Sequence, residues 1–224
     1  MRRLPLTVLS VAALLAVVAA GAVWRAGDAP PQSATAIPAG APSETATPET
    51  AANDEFGGAF SLIDQNGMRR TEMDFRGKYM LIFFGFTYCP DVCPTSLAVQ
   101  AEALDQLGEQ ASRIVPIFIT VDPKRDTPEK LKSYLSAFDP KSPSPRANFV
   151  GLTGSDEEIA QVAKGYNVYY RAHLDTFHTT GPENYTVDHS SDAYLMSPEG
   201  KFISYYSIGI SPDELAADLK QKAL

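Results

Sequence analysis

The sequence predicts an α/β domain built on a mixed β-sheet, and three patterns lead to that fold class. Two near-continuous apolar runs, Tyr79–Phe86 and Ile114–Val121, have the composition of strands buried on both faces. Segments with helical spacing or helix-capping residues follow these runs. The last part of the chain indicates a hairpin and then a helix. Alternating strands and helices favour a parallel core, to which the hairpin adds an antiparallel edge.

The first elements follow from turn signals and apolar spacing. A strand is predicted at Phe60–Asp64, before the hairpin-type turn Asn66-Gly67. A helix is predicted from Pro94 to Gln110, because apolar residues recur there at helical spacing. Pro116 is unfavourable inside a central strand unless it lies near the strand's start or at a bulge.

The later elements are marked by capping residues and short apolar segments. Proline or capping residues begin three helices, at Asp126–Phe138, at Ser155–Lys164 and from Ser211 to the C-terminus. The later strands are predicted to be short: Phe149–Leu152, Val168–Tyr170, Ala193–Met196 and Phe202–Tyr206.

The N-terminal residues predict a membrane anchor and a linker. Residues 1–25 contain an uncharged run of twenty residues, Leu4–Val23, preceded by Arg2-Arg3. That length spans a bilayer, and the arginines favour a cytoplasmic N-terminus; a cleaved signal peptide is the alternative. Residues 26–53 are mostly Ala, Pro, Thr and Ser, which predicts a flexible linker. We expect a single-pass protein of the bacterial inner membrane with residues 54–224 folded in the periplasm.

Charge and cysteine content exclude several classes of function. The formal net charge of −8 argues against nucleic acid as the main partner, because phosphate binding needs a basic face. Two cysteines are too few for a disulfide-rich scaffold. The function of this single pair is therefore the central question.

Cys89 and Cys93 lie just beyond the carboxyl end of the first apolar strand, where α/β sheets collect ligand sites. Their spacing of four places both sulfurs on one face if the segment is helical, and a helix N-terminus favours thiolate. The pair predicts either a dithiol/disulfide redox couple or a soft-metal site. An inert disulfide is less favoured, because so short a loop adds little cross-link entropy.

The choice of metal depends on further ligands. Two thiolates select copper(I), zinc or iron–sulfur chemistry, but a cluster needs four thiolates and structural zinc needs four ligands. His189 is the favoured third ligand, because it precedes the predicted Ala193–Met196 strand in a loop that can lie beside the cysteines. His173 and His178, in a polar segment, are expected to be solvated or weakly metal-associated. Asp91 is expected to be a helix N-terminal carboxylate rather than a ligand.

Four sequence blocks together resemble the Sco/SenC family, membrane-tethered copper-binding proteins of cytochrome c oxidase assembly. The blocks occur in order across the predicted domain: GFTYCPDVCP at 85–94, VDPKRDT at 121–127, GLTG at 151–154 and YTVDHS at 185–190. The resemblance implies a thioredoxin-like fold with copper, as Cu(I) or Cu(II), held by Cys89, Cys93 and His189.

The same resemblance implies a metal-transfer protein rather than an enzyme. Its copper would go to the binuclear copper centre of cytochrome c oxidase, with accessory thiol-disulfide activity on that centre's cysteines. The copper-bearing oxidase subunit is the implied partner, together with another periplasmic copper chaperone or a thiol reductase.

Two alternatives remain open at this level. The first is a periplasmic thiol-disulfide oxidoreductase with a redox-active Cys89–Cys93 pair. Thioredoxin enzymes place a cis-proline against the dithiol, but no proline lies near His189, and Pro182 is seven residues earlier. The second is a thioredoxin-type peroxide reductase using Thr87 and Arg125, which is the least favoured.

Overall fold

A computed structural model describes residues 56–140, 143–174 and 185–224. The predicted anchor, the predicted linker and His178 lie outside these residues. No helix in the part of the chain that is described is long and apolar enough to cross a membrane.

The described strands form a large mixed sheet and a small ribbon. They are β1 (Ser61–Asp64), β2 (Arg69–Thr71), β3 (Tyr79–Gly85), β4 (Ile114–Thr120), β5 (Val150–Thr153), β6 (Tyr170–Ala172), β7 (Val187–His189), β8 (Ala193–Met196) and β9 (Phe202–Tyr206). The large sheet has the order β2-β1-β5-β4-β3-β8-β9, and β6 pairs with β7 in the ribbon. The three central strands β5, β4 and β3 are parallel, whereas the outer pairings are antiparallel. The predicted mixed sheet is confirmed.

Helices flank this sheet. They are α1 (Val92–Gln106), α2 (Pro128–Leu135), α3 (Asp156–Gly165) and α4 (Pro212–Ala223). Helix α1 packs against α4, α2 against β5, and α3 against β1. The two predicted capping boxes are present, because Ser155 and Ser211 each form one with the glutamate three residues later. Helix α2 begins at Pro128 rather than at Asp126, and Thr127 is its cap.

The core lies around β3 and β4. Met80–Phe84 of β3 and all residues of β4 are buried, as the apolar runs predicted. Pro116 is compatible with β4 because the pairing of β4 with β5 begins only at Ile117.

Two predicted boundaries are wrong for identifiable reasons. Helix α1 ends at Gln106 rather than Gln110, because Gly108 adopts a left-handed φ of 56° and the chain continues as a 3₁₀ turn. The strand predicted at Val168–Tyr170 instead occupies Tyr170–Ala172. Asn167, with φ of 51°, ends α3, and the Val168 N–H donates to the Ala163 carbonyl, so Val168 belongs to the helix terminus.

Candidate metal centre

The two cysteines lie at the junction of β3 and α1, but not on one helix. Helix α1 begins at Val92, so Cys93 is its second residue, whereas Cys89 lies in the preceding turn. The Cys89 N–H donates to the Phe86 carbonyl at 3.2 Å, which closes that turn. The Cys93 N–H then donates to the Cys89 sulfur at 3.4 Å. The two sulfurs are thus brought together by a turn and a helix start, which corrects the helical spacing argument.

A glycine at the end of β3 makes room for the second sulfur. Cys93 is fully buried, and a Cβ atom on Gly85 would lie 2.8 Å from its Sγ. Cys89 is only partly buried. The pair therefore has one sulfur inside the protein and one at its surface.

The sheet topology brings the distant histidine to the same edge. Strand β8 runs antiparallel to β3, and its first residue, Ala193, lies opposite Phe83 near the end of β3. The chain entering β8 must therefore pass the cysteine turn. His189 is the last residue of β7, paired with Tyr170, and not part of a loop as predicted.

Cys89, Cys93 and His189 converge into one cluster. One donor atom from each lies within 4.8 Å of the others. His189 Nε2 is 3.5 Å from the Cys93 sulfur. Across residues 56–140, 143–174 and 185–224, this is the one group of three or more His, Cys, Asp or Glu side chains close enough to share an ion. The expectation that His189 lies beside the cysteines is confirmed.

The histidine ring is held so that the correct nitrogen faces the sulfurs. Its Nδ1 lies 2.8 Å from the Ser190 carbonyl oxygen. A carbonyl only accepts, so Nδ1 carries a proton, and Nε2 is the nitrogen that faces the sulfurs. The Phe86 ring meets the imidazole edge-on, with centroids 5.7 Å apart. Fixing the tautomer from the outer side is the usual arrangement of a metal-binding histidine.

The two thiols differ strongly in acidity. The hydrogen bond from Cys93, with a further one from His189, lowers the pKa of Cys89 to about 3 despite partial burial. The same hydrogen bond, together with burial, raises the pKa of Cys93 above its ordinary value. Cys89 is therefore a thiolate at neutral pH, and the shared proton resides on Cys93.

The donor spacing suits a small soft cation. An ion about 2.0–2.3 Å from each of two sulfurs and one nitrogen holds a trigonal set of donors roughly 3.5–4 Å apart. A spread of 4.8 Å closes to that geometry with a movement of about 1 Å. Binding requires the Cys93 proton to leave, since metal ligands are thiolates.

The other residues considered from the sequence are not part of the cluster. His173 lies just beyond β6, and its Nε2 is 2.6 Å from the Asp188 carboxylate in an exposed pair. Asp91 is the N-cap residue of α1 and accepts a long hydrogen bond from the Thr95 hydroxyl.

Sequence reasoning missed a buried carboxylate that anchors the cysteine turn. Asp126 is fully buried and accepts hydrogen bonds from the Thr87 N–H, the Thr87 hydroxyl and the Thr120 hydroxyl. Burial raises the pKa of Asp126. Its contacts join the ends of β3 and β4 just before Cys89. The signal was present in the VDPKRDT block, where Asp126 was assigned only to a helix start.

Known proteins share both this fold and its sequence. A family model described as SCO1/SenC matches residues 48–224. Protein sco1 of Schizosaccharomyces pombe is 45% identical over 168 residues, which cover 75% of this chain and 60% of that protein. The SCO2-like protein RC0895 of Rickettsia conorii is 42% identical over 171 residues, covering 76% of this chain and 78% of the relative. The chain thus spans less than two thirds of the length of the yeast relative.

Solved structures of other proteins are similar to this chain in both fold and sequence. Arabidopsis thaliana ScoI with copper bound is 40% identical with a TM-score of 0.65, covering 74% of this chain and 96% of that one. Bradyrhizobium japonicum ScoI with copper bound is 45% identical with a TM-score of 0.64, covering 75% and 99%. BsSco, described as a member of the Sco family of cytochrome c oxidase assembly proteins with a disulfide switch, is 25% identical with a TM-score of 0.56, covering 75% and 94%. The mixed sheet flanked by helices is therefore the expected thioredoxin-like fold, and the chain belongs to the SCO1/SenC family.

Proposed function

We propose that this protein is a copper chaperone that binds copper through Cys89, Cys93 and His189. The observation that carries the proposal is the convergence of two sulfurs and one imidazole nitrogen within 4.8 Å. Two thiolates and an imidazole favour copper(I), which accepts few ligands. The structures of two relatives with copper bound support copper as the ion.

The arrangement suits transfer as well as binding. Cys89 is partly exposed while Cys93 is fully buried, so an acceptor reaches the ion from the Cys89 side. A three-coordinate ion can add an incoming thiolate before it loses Cys89. Protonation of the departing Cys93 thiolate, whose pKa is raised, completes release.

The recipient in this proposal is the binuclear copper centre of a cytochrome c oxidase subunit. The family membership and the description of BsSco support an assembly role. The apolar Leu4–Val23 run supports an inner-membrane anchor with the domain in the periplasm. A second periplasmic copper chaperone or a thiol reductase would load the protein or reduce its cysteines.

A thiol-disulfide reductase role is the second candidate, favoured by one observation. Cys89 is a partly exposed thiolate next to a buried thiol, which is the arrangement of a nucleophile and a resolving cysteine. Cys89 would attack a partner disulfide, form a mixed disulfide and release one partner thiolate. Cys93 would then attack the Cys89 sulfur and release the second partner thiolate. Two electrons pass to the partner, which leaves with two thiols while Cys89 and Cys93 become a disulfide.

A copper(I) competition titration separates the two roles. The reduced full chain is kept in mild detergent and compared with Cys89→Ser, Cys93→Ser and His189→Ala. The chaperone model predicts a loss of tight binding in all three variants. His173→Ala is the matched control, because His173 lies just beyond β6, the strand paired with that of His189, but contacts Asp188 instead of the sulfurs. The copper affinity of this variant should equal that of the wild type.

The reductase model makes a different prediction for the histidine. Reduction of a small aromatic disulfide by the chain would fail in both cysteine variants but continue in His189→Ala. Equal copper affinity of the wild type and His189→Ala would refute the three-ligand site.

A further inference from the structure

Arg125 lies at the edge of the sheet that carries the cysteine turn, in the segment between β4 and α2. Its side chain is only 5% exposed. An arginine is rarely buried without specific partners, because removing its charge from water is costly. Its contacts therefore indicate what it holds.

The guanidinium joins a carboxylate and a backbone carbonyl from separate parts of the chain. Its Nε pairs with the Asp122 carboxylate, and its Nη1 donates to the Tyr185 carbonyl at 2.9 Å. The Tyr185 hydroxyl donates to the same Asp122 carboxylate. We call Arg125, Asp122 and Tyr185 the clasp. Within it, Arg125 holds the backbone carbonyl of Tyr185, and Asp122 holds its hydroxyl. Tyr185 lies two residues before β7, the strand that ends in His189.

The same guanidinium also contacts the cysteine turn. Its Cζ lies over the rings of Tyr185 at 3.6 Å, Tyr88 at 4.5 Å and Phe86 at 5.8 Å. Tyr88 directly precedes Cys89, and the ring of Phe86 packs edge-on against the His189 imidazole. Arg125 thus touches both segments that supply donors and the ring that backs the histidine.

We infer that Arg125 is a positioning residue of the metal centre, which sets the approach of His189 to the two sulfurs by fastening the β7 segment to the cysteine turn. This inference rests on the proposed three-ligand site. The planar, forked guanidinium is needed, because it stacks between rings while it pairs with a carboxylate and a carbonyl. Lysine keeps the charge but offers neither the stacking plane nor the two-directional fork.

The mechanism is preorganisation. Ligands held in position before the ion arrives lose little freedom on binding, and outer-shell substitutions commonly lower metal affinity about 10–100-fold. Because Arg125 reaches His189 through Phe86 and Tyr185 rather than directly, we expect Arg125→Lys to weaken copper(I) binding by about tenfold.

The test is a double-mutant cycle on the reduced full chain with copper(I) as the probe. The variants are Arg125→Lys, His189→Ala and the double variant. If Arg125 acts through His189, the tenfold loss appears in the wild-type background and disappears when His189 is absent. The copper(II)-thiolate absorption band provides a second readout and should shift in Arg125→Lys, since the imidazole moves relative to the sulfurs.

Arg146→Lys is the matched control. Arg146 is also buried, pairs with the Asp105 carboxylate at 2.7 Å and donates to the Phe138 carbonyl at 3.0 Å. Asp105 is twelve residues beyond Cys93 on α1, about 18 Å along the helix axis. Losing this arginine should lower stability in urea much as Arg125→Lys does, but leave copper affinity and the absorption band unchanged.

Several results would overturn the inference. One is an unchanged copper(I) affinity in Arg125→Lys. Another is an equal loss of affinity with and without His189, which would show that Arg125 has only a structural role. If Arg125→Lys does not fold, Tyr185→Phe takes its place, since it removes the hydroxyl that donates to Asp122. Tyr185→Phe must then lower copper(I) affinity by less than the tenfold expected for Arg125→Lys, and this loss must disappear when His189 is absent. Wild-type affinity in His189→Ala would overturn the proposed site together with this inference, whereas a failure confined to the Arg125 arm would overturn the inference alone.

Discussion

Replacing Gly85 with alanine tests whether the end of β3 positions the buried sulfur. The new Cβ would lie 2.8 Å from Cys93 Sγ and 2.9 Å from Phe118 Cε2, whereas ordinary contacts begin near 3.4 Å. Both neighbours are fully buried, so each must move by about half an ångström. Such overpacking costs about 1–3 kcal/mol, from which the lower entropy of the unfolded alanine chain removes about 0.4–1 kcal/mol. We expect a net loss of about 1–2 kcal/mol in the free energy of unfolding.

The assay combines thermal unfolding of the reduced chain with copper(I) titration. A loss of that size lowers Tm by about 2–8 °C in a domain of this length. Displacement of the Cys93 sulfur should also weaken copper binding by about tenfold.

Gly151→Ala is the matched control for that experiment. This buried glycine of β5 is equally crowded, with a Cβ position 2.6 Å from Leu135 Cδ1, but its neighbours are leucines of α2 rather than a cysteine. It should lose stability and keep its copper affinity. The reasoning is refuted if Gly85→Ala is destabilised while its copper affinity stays at the wild-type value.

Two further measurements follow from the structure. Because the pKa of Cys89 is lowered to about 3, its thiolate fraction stays near one from pH 8 down to pH 5. Peptide mapping after iodoacetamide treatment should find Cys89 alkylated before Cys93, at a rate nearly constant over that range. An ordinary thiol would slow by about a thousandfold, and such slowing would contradict the assignment. Separately, Ser155→Ala removes the capping box of α3 and should lower the free energy of unfolding by about 1 kcal/mol in urea, with copper affinity unaffected; a change below a few tenths would show that the cap contributes little.

Local patterns were sufficient for most of the fold. The buried runs of β3 and β4 and the capping boxes of α3 and α4 depend on residues a few positions apart, so their signals can be read directly. The errors occurred where one residue's backbone conformation overrode a pattern. Asn167 ended α3 in a left-handed conformation and moved the next strand along the chain.

The site was predictable in composition but not in geometry. The residue types and the family blocks identified Cys89, Cys93 and His189 as candidates. The sequence did not reveal that Cys89 lies in a turn and Cys93 in a helix, because that difference depends on which backbone groups are hydrogen-bonded. It also assigned Arg125 only to a peroxidase alternative, and the clasp with Asp122 and Tyr185 was not anticipated.

By itself, the sequence determined which elements form, which side chains are buried and which chemical groups are available to a soft cation. Only the tertiary structure decided that the cysteines and the histidine lie together. Ninety-six positions separate Cys93 from His189, and only the antiparallel placement of β8 beside β3 brings them together at one sheet edge. Contacts across such distances arise from the packing of whole strands, which no local pattern encodes.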